Sequence, residues 1–328
     1  MIDDMAFPRS RFWSAPPAGP AGLSAGRART VVSSSWFPLA VTLSLLASGC
    51  ASLHRNKLDG NIVAARQLSL RGMDAKQHGR LTDAEMLFSR AIQMCPLDER
   101  MQCHYAETLW ELGSRDQAVT HMEEAVRLSG GNPELLVRLG DMYLANGDVQ
   151  RAGQQADLAV QANRQLAAAW ALHGDVQRRQ GQIEASLASY HRALSYQEHF
   201  PRVQLAIAET YRSDGRHGRA LATLRALSDG YPAGETPQYV LFLQGVTLKD
   251  MERYEAAVER LMAASKQGEP TPDLLYHLAE TQLLAGDPVN ARLTIEAALA
   301  RAPEHEPSQA LHQRIVSLER RLAAKIDR

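Results

Sequence analysis

The pattern of apolar positions repeats along most of this chain. Small residues recur at Ala84, Ala118, Ala152, Ser186, Ala220, Ala257 and Ala291, at spacings of 34, 34, 34, 34, 37 and 34 residues. Three more columns keep the same register. The first is Gly72, Ala106, Gly140, Gly174, Ala208, Gly245 and Ala279; the second is Gly79, Gly113, Gly147, Gly181, Gly215, Glu252 and Gly286. The third is Ala91, Ala125, Ala159, Ala193, Leu227, Ala264 and Ala298. Within one unit the apolar residues fall at helical spacing: Leu136, Leu139, Gly140 and Tyr143 share one face, and Ala152, Ala156 and Ala159 share another. Gly147-Asp148 separates the two, and a left-handed glycine there suits a helix C-terminus. Each unit therefore predicts two amphipathic helices of about positions 2–14 and 18–31, crossing closely at the small residues. Neither helix buries its apolar face alone, so stacking on neighbours must supply the core.

The period and the columns resemble the tetratricopeptide repeat. The clearest unit runs from Trp170-Ala-Leu-His-Gly174 through Gly181, Ser186, Tyr190 and Ala193; a closing proline is present as Pro96, Pro232 and Pro303. The resemblance covers 65–98, 99–132, 133–166, 167–200, 201–234, 238–271 and 272–305. It implies an all-α fold: a right-handed superhelix of about seven repeats over 65–305. The register slip of three residues falls in Asp229–Pro237, where Gly and Pro mark a longer connection. In 306–328, Leu311, Ile315, Leu318 and Leu322 recur on one face, predicting a helix that caps the last repeat.

The first fifty residues read differently. Residues 1–35 are rich in Pro, Ala, Gly and Ser, a composition that buries no core and predicts no stable contacts. Arg27 and Arg29 precede a short apolar run, Trp36 to Ala47, which allows at most a solitary helix over Ser33–Ala47 and ends in Ala47-Ser48-Gly49-Cys50. That order is the layout of a secretory signal peptide, and the run is short of the ~20 apolar residues that span a bilayer. Its end resembles the lipobox of bacterial lipoproteins, which implies that Cys50 is lipidated and becomes the mature N-terminus. Ala51 in the next position implies the outer membrane, facing the periplasm. An uncleaved anchor or a chance apolar run remain alternatives. Residues 51–64 read as tether or helical lead-in.

Charge and candidate chemistry narrow the function. The formal net charge is -1, with 36 basic and 37 acidic residues and no long Lys/Arg run. That disfavours nucleic acid, whose phosphates demand a concentrated positive surface. Three cysteines, Cys50, Cys95 and Cys103, form no CxxC pair, and the eleven histidines form no HExxH, so no metal or cofactor is expected. Cys95 and Cys103 either pair across a turn or stay free. His173, His191 and His277 fall in separate helices with no evident partner, which argues against catalysis.

By the resemblance, the first helix of each repeat lines a concave surface through positions 2, 5, 9, 12 and 13. Those positions supply Cys103, Glu107, Trp110 and Glu111 in repeat two, Val137, Asp141 and Leu144 in repeat three, and Asp175, Arg178 and Arg179 in repeat four. Repeat five supplies Arg202, Leu205, Glu209 and Arg212; repeat six Tyr239, Phe242, Val246, Lys249 and Asp250; repeat seven Asp273, Tyr276, Glu280 and Leu283. In a chain with 6% aromatics, Tyr239, Phe242 and Tyr276 suggest one binding patch; packing against neighbouring helices is the alternative. Arg178 and Arg179 read more readily as a solvated face, with the groove as the alternative. The implied function is a lipid-anchored scaffold holding a protein or peptide ligand in the bacterial envelope. The alternatives are a peptidoglycan or carbohydrate contact protein and a non-catalytic regulatory arm of an enzyme complex.

Overall fold

The computed structural model describes residues 45–326, with side chains over 60–321. The expectations for residues 1–44 and for the Cys50 side chain lie outside the described residues. Among the described residues every regular element is an α-helix, and no helix is long and apolar enough to cross a membrane. The chain divides into two compact units, one ending at Gly130 and one beginning at Gly131.

The first unit holds α1 (Leu45–Gln77), α2 (Leu81–Met94), α3 (Glu99–Glu111) and α4 (Arg115–Leu128). α1 is continuous, so Leu53–Ala65 and the first half of repeat one form one helix. The second unit opens with α5 (Pro133–Ala145), α6 (Val149–Ala162), α7 (Ala167–Arg179), α8 (Ile183–Tyr196) and α9 (Pro201–Ser213). It continues with α10 (His217–Asp229), α11 (Gln238–Asp250), α12 (Tyr254–Lys266), α13 (Pro272–Leu284), α14 (Pro288–Arg301) and α15 (Glu306–Ile326). Helices pair within each repeat, and in each unit the second helix also packs on the first helix of the next repeat. From repeat two on, first helices occupy positions 1–13, and second helices open at position 17, a residue earlier than the pattern predicted. α15 packs on α13 and α14.

Local chemistry sets these boundaries. Pro133, Pro201, Pro272 and Pro288 open helices, where a missing N–H costs nothing. Asp98 caps α3 by accepting from the Arg100 and Met101 amides, both at 3.1 Å. Glycines end the first helices in left-handed geometry, as at Gly147 (φ 81°), where the Asp148 amide closes back on the Tyr143 carbonyl at 2.9 Å. Repeat six breaks the column with Glu252, yet keeps the motif: Glu252 sits at φ 58°, and the Arg253 amide reaches the Leu248 carbonyl at 2.9 Å.

The core explains the small-residue columns and adds a fifth, which the sequence reading did not isolate. Phe88, Met122, Ala156, Tyr190, Leu224, Leu261 and Ile295 stand at one repeat position, and all are buried. Glycine in the facing column makes room for the bulkiest of them. A Cβ on Gly174 would sit 2.6 Å from the Tyr190 ring, and one on Gly245 would sit 2.5 Å from Leu261 Cγ. Repeat three differs, because Ala156 is small. There the space over Gly140 is filled by Leu172 from the next repeat, 2.4 Å from where a Cβ would stand, against 3.3 Å to Gln155 on α6. The tight contact of Gly140 is thus with α7 first and with its own repeat's α6 second, which corrects the expected crossing.

Candidate functional site

The face made by the first helices of the second unit carries a run of side chains that link one helix to the next. At its start, Arg202 on α9 donates to Asp141 on α5 at 3.1 Å and also pairs with Asp175 on α7. Tyr190 on α8 donates its hydroxyl to the other Asp175 oxygen at 2.6 Å. The adjacent Asp141 and Asp175 carboxylates push the Arg202 pKa up. Burial and the Asp175 charge push the Tyr190 hydroxyl well above its ordinary value.

Further along, Arg178 on α7 approaches Glu209 on α9 at 3.7 Å, and Tyr239 on α11 donates to the other Glu209 oxygen at 2.7 Å. Burial raises the Tyr239 pKa, and the Glu209 carboxylate adds to it. Arg212 on α9 pairs with Asp250 on α11 at 3.1 Å. Buried Nε–H groups on both Arg178 and Arg212 have no acceptor among the described residues. Lys249 on α11 donates to Glu280 on α13 at 2.5 Å, and its Nζ lies 3.2 Å from His277 Nδ1. Tyr276 donates to the other Glu280 oxygen at 3.2 Å. Hydrogen bonds from His277 and Lys249 pull the Glu280 carboxyl down to about 2.

The aromatic residues lie in one continuous series. Tyr239 stacks on Phe242 at 6.1 Å between centroids, Phe242 lies 5.6 Å from His277, and His277 meets the Tyr276 edge at 5.1 Å. His305, beside α15, closes the series 6.2 Å from Tyr276, and its Nε2 lies 3.0 Å from Asp273. Phe242 is only 8% exposed, so its ring is mostly packing. Tyr239 and Tyr276 are half-buried and form the accessible part of the patch. The sequence reading missed His277 and His305 as members, because neither stands at a position singled out for the groove. The signal was present in the position of His277 next to Tyr276, on the first helix of the repeat after that of Phe242.

The remaining candidates fall elsewhere. Trp110 lies in the first unit, half-buried, with Arg115 5.5 Å over its ring. Arg179 is exposed on the last turn of α7. In the first unit, Lys76 bridges Glu107 and Glu111, both at 3.2 Å. Cys95 and Cys103 are not joined by a disulfide, and the Cys103 thiol donates to Glu107 Oε1 at 3.7 Å. The three histidines expected to stand alone have polar neighbours. His173 lies 3.2 Å from both Ser189 Oγ and Asp157, and His191 lies 3.5 Å from the Tyr211 hydroxyl. The Ser189–His173–Asp157 order is that of a hydrolytic triad, but buried Ser189 gives its proton to Gln177 Oε1 at 2.7 Å. Among the described residues, no three His, Cys, Asp or Glu side chains converge on a metal position.

Comparison with known proteins agrees with this architecture. The tetratricopeptide repeat family pattern matches residues 70–133, 105–167, 172–235 and 242–306. The crystal structure of a tetratricopeptide repeat protein from Parabacteroides merdae is similar at a TM-score of 0.61 and 16% identity. That match covers 77% of this chain and 99% of the other. Yeast Tom70 is similar at a TM-score of 0.61 and 17% identity, over 85% of this chain and 62% of Tom70. At these identities the likeness is one of fold. The BBSome complex member BBS4 of Xenopus tropicalis is 29% identical over 116 residues, 35% of this chain, and the chain spans about a fifth (22%) of that relative. The family pattern extends over well more than half of the sequence, and the chain belongs to the tetratricopeptide repeat family.

Proposed function

We propose that this chain is a scaffold, tethered to the bacterial envelope through Cys50, that holds a protein or peptide partner on the first-helix face of its second unit. Tetratricopeptide repeats generally bind protein partners and are generally non-catalytic. The observation that carries the reading is the Tyr239–Phe242–His277–Tyr276 series. It spans two consecutive first helices, and two of its hydroxyls are held by Glu209 and Glu280. Rings fixed in this way offer apolar area at little entropic cost, and Lys249, Asp250 and Glu280 give a polar rim. An apolar partner side chain flanked by polar groups fits that chemistry.

The tether rests on the sequence before Cys50, and a fractionation experiment tests it. Wild type should sediment with membranes and carry a lipid-modified Cys50 as its N-terminus. Cys50→Ser should appear in the soluble fraction as an uncleaved precursor. An intact native N-terminus on wild-type protein would remove the tether from the proposal and leave the binding face to stand alone.

A further inference from the structure

Among the described residues, the stacking face of the first repeat stands uncovered. Repeat position 10 is buried in all six later repeats, from Thr108 to Thr281, and is the exposed Asp74 in the first. Position 6 is Leu172 at 0% exposure in repeat four and Leu243 at 3% in repeat six. In the first repeat it is Leu70, 65% exposed. In repeat four, His173 at position 7 meets Asp157 of the preceding repeat at 3.2 Å. In the first repeat, position 7 is the exposed Arg71.

This face is concave and carries three arginines against two carboxylates. A cavity of about 370 Å³ lies between α1 and α2, lined by Arg71, Arg80, Arg90, Asp74 and Asp83 together with Met86 and Leu87. Its two carboxylates, Asp74 and Asp83, are taken by Arg80 at 3.3 Å and 3.8 Å. Arg71 and Arg90 have no ion pair among the described residues. Val63, one turn-pair before Leu70 on α1, and Met86 on α2 are each more than half exposed. Met86 therefore shares the cavity wall with two guanidinium groups that have no ion pair, and exposed Leu70 stands next to one of them in the chain.

We propose that this end of the first unit docks an acidic amphipathic helix from a partner protein, seated where a preceding repeat's second helix would stack. Its apolar ridge covers Val63, Leu70 and Met86. Its carboxylates pair with Arg71 and Arg90, as Asp157 meets position 7 in repeat four. Charge selects the occupant: two free cations beside exposed leucine and methionine favour an acidic helix over a basic or neutral one. The segment before α1 is a poor occupant, since residues 1–44 hold four arginines and two aspartates. The surface is separate from the aromatic series of the second unit, so the two are tested independently.

The test uses the full chain and a designed amphipathic helical peptide, with leucines at i, i+3 and i+7 flanked by glutamates. A control peptide carries lysines in place of the glutamates. Fluorescence anisotropy should show saturable binding of the acidic peptide and little of the basic one. Arg71→Glu with Arg90→Glu should weaken the acidic peptide at least ~tenfold and strengthen the basic one. Leu70→Asp should weaken both, and unchanged thermal melts would confirm that these exposed substitutions spare the fold. Absence of binding, or binding indifferent to all three substitutions, overturns the proposal. Self-association of the full chain abolished by Leu70→Asp would make a second copy the occupant and overturn it too. So would acidic-peptide binding seen only after residues 1–44 are removed.

Discussion

Arg202 on α9 reaches back to Asp141 on α5 at 3.1 Å, a contact between residues 61 apart that passes over α7 by way of Asp175. One guanidinium thus ties three consecutive first helices, and Tyr190 fixes Asp175 from the second-helix layer. Arg202→Met should leave two carboxylates facing each other without a cation. Arg202 is more than a third exposed, so solvent screening keeps the cost to about 1–2 kcal/mol. Adding Asp175→Asn should recover part of it, because a single carboxylate charge then remains and the repulsion is removed. Urea denaturation of the two variants measures both effects, and a double mutant no better than the single would deny the coupling.

The glycines opposite bulky partners set a second expectation. Gly174→Ala drives a Cβ into Tyr190, and Gly140→Leu drives a side chain into Leu172. Overpacking of this kind costs roughly 1–3 kcal/mol. Gly140→Leu combined with Leu172→Ala should regain stability, since the intruding volume then has a space to fill. The same rescue attempted with Gln155→Ala should do less. A reversed order would place the tight contact with α6.

Glu252 is the one non-glycine residue with positive φ, 58°, among the described residues. A side chain in the left-handed region costs about 1–2 kcal/mol, part of which glycine returns as unfolded-state entropy. Glu252→Gly should therefore raise stability by about 0.5–1 kcal/mol. The reverse change at the matching position, Gly215→Glu (φ 74°), should lower it. A thermal melt of each variant checks the pair of signs.

Glu280 supplies a pH dependence. Its folded value, about 2, lies below the ordinary 4.5, so its bonds to His277 and Lys249 stabilise the native state above about pH 4.5. That contribution fades as pH falls from 4.5 toward 2 and the carboxylate takes up its proton. Glu280→Gln should be less stable than wild type at pH 7, with the gap narrowing through that window. Urea midpoints at pH 7, 4 and 3 measure it; a gap constant with pH would mean that the carboxylate charge is not what His277 and Lys249 hold.

The repeat fold was legible because each column has a direct steric meaning. Ala84, Ala118 and Ala152 are buried where helices meet, and the Gly79 to Gly286 column carries the positive φ that ends a helix. Gly140 was legible as a close contact but not as a contact with Leu172, since a period says that two surfaces meet without saying which repeat fills the gap. The site was harder to read. Register placed Tyr239, Phe242 and Tyr276 on one face, but burial of Phe242 depends on the tilt of neighbouring helices, which position numbers do not carry. His277 joins the series through packing between α11 and α13, and Asp141, Arg202 and Asp175 meet across helices whose spacing no sequence pattern encodes.

The central claim, that a partner is held on the first-helix face of the second unit, is tested most directly by photocrosslinking from single positions in cells. A photoreactive residue in place of Tyr276, and separately of Tyr239, should crosslink to one and the same protein. The same residue at exposed Glu259 on the second-helix layer of α12 should not. Tyr239→Ala should then reduce the Tyr276 crosslink severalfold while leaving the melting curve close to wild type. Equal capture of that protein from position 259, or different proteins from 239 and 276, would contradict the assignment of this face.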